Sequence, residues 1–237
     1  MSTPFYFVAY GDSRFHDPKD TEAANPTVRQ ALVQAIAQTS PAFIVFTGDI
    51  VYNGYDKDDW KVSDAETAVW REKKIPVYPV LGNHDLHGNE NVALANYFER
   101  FPDLRNSRYY SLRAGNTLLL ALDSSQDETS GPQGQWLTQK LDRLPSDINF
   151  VFIVLHHPPY TSSSDMKLFG GGHSARAKDD PFQSKEVNYH YLQVEVERGT
   201  VKITMHRLDM TSSKAVWTEP DSVTISLPAA KAAVQNK

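Results

Sequence analysis

The chain has 237 residues, 40% of them hydrophobic and 22% charged, which is enough for one well-buried domain. A formal net charge of -5 argues against a nucleic-acid or anionic-membrane binder, and the absence of Cys removes disulfides, thiolate metal sites and cysteine nucleophiles together. The longest apolar run, FVFIVL (150–155), is too short to span a bilayer, and no basic segment or cleavage site precedes the first strand-like run. As written, the chain reads as soluble and without a signal peptide: cytoplasmic, or periplasmic or secreted if a signal has been removed.

FYFVAY (5–10) reads as a strand, followed by a polar loop and a helix over 27–38, where Val28, Leu32 and Ile36 keep a helical period. FIVF (43–46) is a second strand, and the loop after it leads into a helix over 64–74 with acids early and bases late. VYPVL (77–81) is a third strand, before an amphipathic helix over 91–101. YYSLRAG (109–115) and NTLLLALD (116–123) read as a hairpin-like pair, 131–144 as a helix and FVFIVL as a buried strand. The tail alternates like an antiparallel hairpin over 188–209 that turns near Arg198-Gly199, with a short strand at 221–227 and a frayed end at 231–237. Nearly continuous apolar strands alternating with helices predict a layered α/β domain, and no repeat or linker divides it.

The chemistry sits where the strands end. FYFVAY runs into Gly11-Asp12, FIVF through Thr47 into Gly48-Asp49, VYPVL into Gly82-Asn83-His84-Asp85, and FVFIVL into His156-His157. Loops beyond the carboxyl ends of strands are where open α/β sheets build their sites. One Gly-Asp after a strand is an ordinary turn or helix cap. Four such motifs in series bring together carboxylates, a carboxamide and imidazoles, the ligand types of Zn, Mn or Fe.

With these motifs over residues 5–160, the chain resembles the calcineurin-like metallophosphoesterases, in particular their purple-acid-phosphatase-like branch. The resemblance implies a four-layer α/β/β/α sandwich of two mixed sheets in a single domain, 1–237. It implies two divalent or trivalent metal ions (Fe, Mn or Zn) and hydrolysis of a phosphate mono- or diester by a hydroxide bridging them. Asp12 would bind the first metal, Asp49 would bridge, and Asn83 and His156 would bind the second. His84 would be the general acid or phosphate contact, with Asp85 orienting its ring, and Asp123 would support the site without binding metal. His157 is a candidate substrate contact, with a packing role as its alternative.

Two departures stand against this pattern. The family's first motif has a histidine two positions after its aspartate, where this chain has Arg14. Arginine cannot ligate a cation but can hold a substrate phosphate. Tyr52, three residues after Asp49, either replaces the lost ligand, as in purple acid phosphatases, or packs on the strand end. The second departure is that no Gly-His-x-His motif occurs in the chain, although the family closes its site with one. GGGHSARAKDDPFQ (170–183) reads as two family segments joined with the middle removed near 177–180, where His173 is a poor substitute ligand.

The leading expectation is therefore a metallophosphoesterase acting on a phosphorylated small molecule or other phosphoester. The alternative is a metal-poor, catalytically impaired pseudo-enzyme or phosphate-binding protein on the same scaffold. A nucleotide-binding module without metal fits poorly, because no Gly-rich phosphate loop follows the first strand. Oligomeric state is not legible in the sequence.

Overall fold

The computed structural model describes residues 1–21, 24–104, 107–126, 130–157, 189–210 and 215–228. The expectations placed on His173 and on a junction near 177–180 lie outside these residues.

A seven-stranded mixed sheet forms the centre, in the order β10-β8-β7-β1-β2-β3, with β9 paired to β8. Its strands are β1 (Phe5–Tyr10), β2 (Ile44–Phe46), β3 (Val77–Pro79), β7 (Tyr189–Val196), β8 (Thr200–Asp209), β9 (Val216–Thr218) and β10 (Ser222–Ser226). β1, β2 and β3 are parallel, whereas β7 runs antiparallel to β1 and to β8. A second mixed sheet holds β4 (Tyr110–Ala114), β5 (Thr117–Ala121) and β6 (Phe150–Val154), antiparallel and then parallel.

The alternation of side chains along each strand makes the layers. Phe7, Phe43, Val45 and Val194 face the second sheet and pack with Leu119 and Phe150. Their neighbours Val8, Ile44 and Phe46 point the other way, beneath Val28, Leu32 and Ile36 of helix α1 (Pro26–Thr39). Leu118 and Leu120 turn outward from the second sheet against Trp136 and Leu137 of α5 (Pro132–Asp142). The result is helix, sheet, sheet, helix, as the resemblance implies.

Helix boundaries follow their caps. Asn25 accepts from the Val28 N–H at 3.2 Å and Pro26 opens the first turn of α1. The single helix expected over 64–74 is instead two, α2 (Lys57–Glu66) and α3 (Ala68–Glu72). Asp56 caps α2 through the Asp58 N–H at 2.8 Å, a start hidden in a stretch polar enough to read as loop. Trp60, fully buried within that stretch, anchors α2 through an indole N–H donated to the Gly54 carbonyl at 2.8 Å. A second correction concerns β6: it is the outer strand of its sheet among the described residues, and Ile153 is 48% exposed rather than buried. Strand β9 was missed, being three exposed residues without a period to read. Helix α4 (Glu90–Arg100) completes the layer that covers β2 and β3, through the buried Tyr97. Among the described residues no helix is long and apolar enough to cross a membrane.

Candidate metal centre

The loops after β1, β2, β3 and β6 meet at one end of the sandwich. Asp12, Asp49 and His156 are all buried, and each offers a ligand atom within 4.8 Å of the others. Close backbone approach makes this convergence possible. Gly48 has a φ of +91°, and a Cβ there would stand 2.7 Å from His156 Nδ1. A Cβ on Gly82 would strike the backbone nitrogen and Oδ1 of Asp49. Asp12, Arg14 and Asp49 also hold left-handed backbone, with φ of 53°, 45° and 51°. Such conformations disfavour side chains and persist only where surrounding bonds enforce them. Here the Arg14 N–H donates to the Asp49 carbonyl at 2.9 Å, and the Asp12 N–H to the Gly48 carbonyl at 3.0 Å.

The two oxygens of Asp49 serve different neighbours. Oδ1 accepts the His84 backbone N–H at 2.9 Å and lies 3.3 Å from His156 Nε2. Oδ2 accepts from Arg14 Nε at 3.1 Å and Nη2 at 2.9 Å. Burial alone would raise the Asp49 carboxyl, but His156, Arg14 and His84 outweigh it and hold it below its ordinary value.

His156 donates Nδ1–H to the Thr47 carbonyl at 2.9 Å, which turns its other nitrogen toward Asp49 Oδ1 and, at 3.2 Å, toward Asn83 Oδ1. When Nδ1 carries the ring's only proton, lone pairs of two oxygens and a nitrogen face one another here. Something positive belongs between them, and this O,O,N donor set fits a first-row dication. The backbone carbonyl that orients the ring is the usual outer partner of a metal-binding histidine.

His84 begins a 3-10 turn, His84–Leu86, and donates Nδ1–H to the Tyr52 carbonyl at 2.7 Å. Burial pushes its imidazole down to about 4, against the pull of Asp49. Asp85 does not orient that ring. Its Oδ1 accepts the Ile50 and Val51 N–H groups at 2.8 and 3.2 Å, and its Oδ2 accepts the Gly82 N–H at 2.9 Å. Asp85 thus staples the second strand-end loop to the third. Burial and the Asp49 charge push its carboxyl up to about 8, while the three N–H donors pull the other way.

The remaining sequence candidates take these places. Tyr52 stacks on His84 with ring centroids 5.2 Å apart and tilts against His16 at the same separation. His157 is held by Ser124, whose hydroxyl accepts its backbone N–H at 3.1 Å and meets Nδ1 at 2.9 Å. Asp123, fully buried, pairs with Arg108 at 2.5 Å and accepts from the Ser125 hydroxyl at 2.6 Å. Sequence reasoning placed no role on His87, whose ring centroid is 4.2 Å from that of His84. It missed Ser124, one residue beyond a strand end it had recognised, and the Thr47 and Tyr52 carbonyls, which have no signature in residue type.

The calcineurin-like phosphoesterase family matches residues 15–195, more than half of the chain. The chain belongs to that family. Among solved structures, this calcineurin-like phosphoesterase is similar to the purple acid phosphatase PPD1 from yellow lupin (Lupinus luteus) seeds, with a TM-score of 0.67 and 11% identity. That likeness covers 98% of this chain but only 55% of the lupin chain. A dimetal phosphatase from Danio rerio gives a TM-score of 0.58 at 14% identity, covering 94% of this chain and 98% of the other. PhoD gives 0.64 at 12%, covering 95% and 70%. At such identities the likeness concerns the fold. No curated protein matches the sequence.

Proposed function

We propose that this calcineurin-like phosphoesterase is a metal-dependent hydrolase of phosphate mono- or diesters. The observation that carries the reading is the buried convergence of Asp12, Asp49 and His156, with His156 Nε2 turned toward Asp49 Oδ1 and Asn83 Oδ1. In this reading Asp49, Asn83 and His156 hold the cation and Asp12 lies beside it. A bound Mn, Zn or Fe ion supplies Lewis-acid activation of water and of a phosphoryl oxygen.

The chain's own groups do the rest. Arg14 places a permanent positive charge beside Asp49, where an anionic phosphoryl group gains from it. His84 keeps one ring nitrogen on the Tyr52 carbonyl and offers the other to the substrate. An anionic phosphate against the ring raises its pKa, so the bound substrate itself readies His84 to protonate the leaving oxygen. His157, steadied by Ser124, is the second contact for the phosphate. A ligating role for Tyr52 belongs to the first metal position and stands or falls with it.

The test is turnover of para-nitrophenyl phosphate and its bis ester by chelator-treated protein, with and without added Mn2+ or Zn2+. Activity should depend on the metal, and Asp49→Asn or His156→Ala should lower it at least about 100-fold, the upper end for disturbing a metal's outer partners. Turnover unchanged in both variants would sink the reading. One alternative has its own observation: with no Gly-His-x-His in the chain and Arg14 engaged on Asp49, the scaffold can serve as a phosphate-binding pseudo-enzyme. Phosphate binding that ignores chelator, without turnover, is its signature.

A further inference from the structure

Asp49 divides the candidate centre into two places for positive charge. One lies on the Oδ1 side, between His156 and Asn83. The other lies on the Oδ2 side, toward Asp12, and a guanidinium already stands there. Arg14 reaches Asp49 Oδ2 through Nε at 3.1 Å and Nη2 at 2.9 Å, with the same Nη2 4.0 Å from Asp12 Oδ1. The three side chains are almost fully enclosed, at 8% exposure for Arg14, 9% for Asp12 and 0% for Asp49.

Arg14 is fixed from behind as well. Its carbonyl accepts from Arg29 Nη1 at 3.3 Å, and Arg29 is itself paired to Glu66 through Nε at 2.8 Å and Nη2 at 2.5 Å. The Arg29 guanidinium also lies 5.0 Å from the centre of the Phe15 ring, next to Arg14 in the chain. A side chain held on Asp49 by two hydrogen bonds, from a backbone held on a buried ion pair, is a standing part of the site.

We propose that the Arg14 guanidinium permanently fills one of the two cation places, so that this centre takes a single metal ion on the Asp49 Oδ1 side. The proposal rests on the metal-dependent reading above. A guanidinium has no lone pair to ligate a second dication and repels one brought to the same two carboxylates. It does supply what that ion would supply electrostatically: it neutralises Asp49 Oδ2 and offers positive charge to a phosphate. Unlike a metal ion, it cannot lower the pKa of a water by coordination, so all Lewis-acid chemistry falls to one ion.

The experiment is metal stoichiometry of the full chain, stripped with chelator, dialysed and titrated with Mn2+ by calorimetry, with elemental mass spectrometry as a check. Wild type should take one equivalent, and its bound Mn2+ should show the six-line resonance of an isolated ion. Arg14→His restores an imidazole between Asp12 and Asp49 and should take two equivalents, with a coupled spectrum. Arg14→Lys keeps the charge and should take one. Two equivalents in wild type, or a coupled spectrum, would overturn the proposal and leave the metal-dependent reading standing. An Arg14→His variant that folds by circular dichroism yet still takes one equivalent would overturn it too. No binding by folded wild type would bring down both readings, so the two failures are distinct. If Arg14→His does not fold, the wild-type titration and resonance still decide.

Discussion

His84 shows how burial sets chemistry at a single residue. Its ring is enclosed near Asp49, yet burial outweighs that charge and lowers its pKa from the ordinary 6.5 to about 4. In the metal-free protein the unfolded chain therefore takes up its proton first as pH falls. The folded state loses stability from about pH 6.5 down to about pH 4 on account of this residue, and none of that contribution is lost above the window. Histidine resonances followed by NMR should show His84 neutral at pH 6; a midpoint near 6.5 would contradict the burial argument. Gly48 and Gly82 work at the same scale, because any side chain on them would meet His156 or Asp49.

At the scale of elements, α1 and α2 hold the first strand-end loop by charge as well as by apolar contact. Arg29 of α1 is 1% exposed, paired with Glu66 of α2, and also donates to the carbonyls of Arg14 and His16. Glu66→Ala would leave a buried guanidinium without its counter-charge, at a cost of about 3 kcal/mol. Chemical denaturation should register that loss, and metal affinity should fall with it because the Arg14 loop loosens. The α2 start at Lys57 was not legible: its signal was the Asp56 cap, inside a run whose polarity reads as loop. Strands β2 and β5, buried along their whole length, were legible from their apolar runs, since burial on both faces demands them.

Across the whole molecule, the two sheets deliver four loops to one place, and the electrostatic consequence is a cluster of buried donors that gains from a cation. Mn2+ or Zn2+ at 100 times its dissociation constant should stabilise the fold by about 2.7 kcal/mol. For a chain of this size that is roughly 5 to 10 °C in Tm. Differential scanning calorimetry with and without metal measures it, and His156→Ala should abolish most of the rise. A shift retained in His156→Ala would place the stabilising ion elsewhere.

What the sequence by itself determined was the layer class and the strand-end motifs: apolar runs ending in Gly-Asp, Gly-Asn-His-Asp and His-His name the donors, because residue type carries ligand chemistry. The ligand geometry was decided only by tertiary structure. Thr47 and Tyr52 orient the two key imidazoles through backbone carbonyls, which every residue possesses and no pattern reveals. Asp85, expected to serve His84, serves three backbone N–H groups instead, because folding places it beneath the second strand-end loop. Arg14 read from sequence as a missing ligand or a phosphate contact; only the crossing of the first two loops sets its guanidinium on Asp49, since an ion pair between residues 35 apart exists only once the chain is folded.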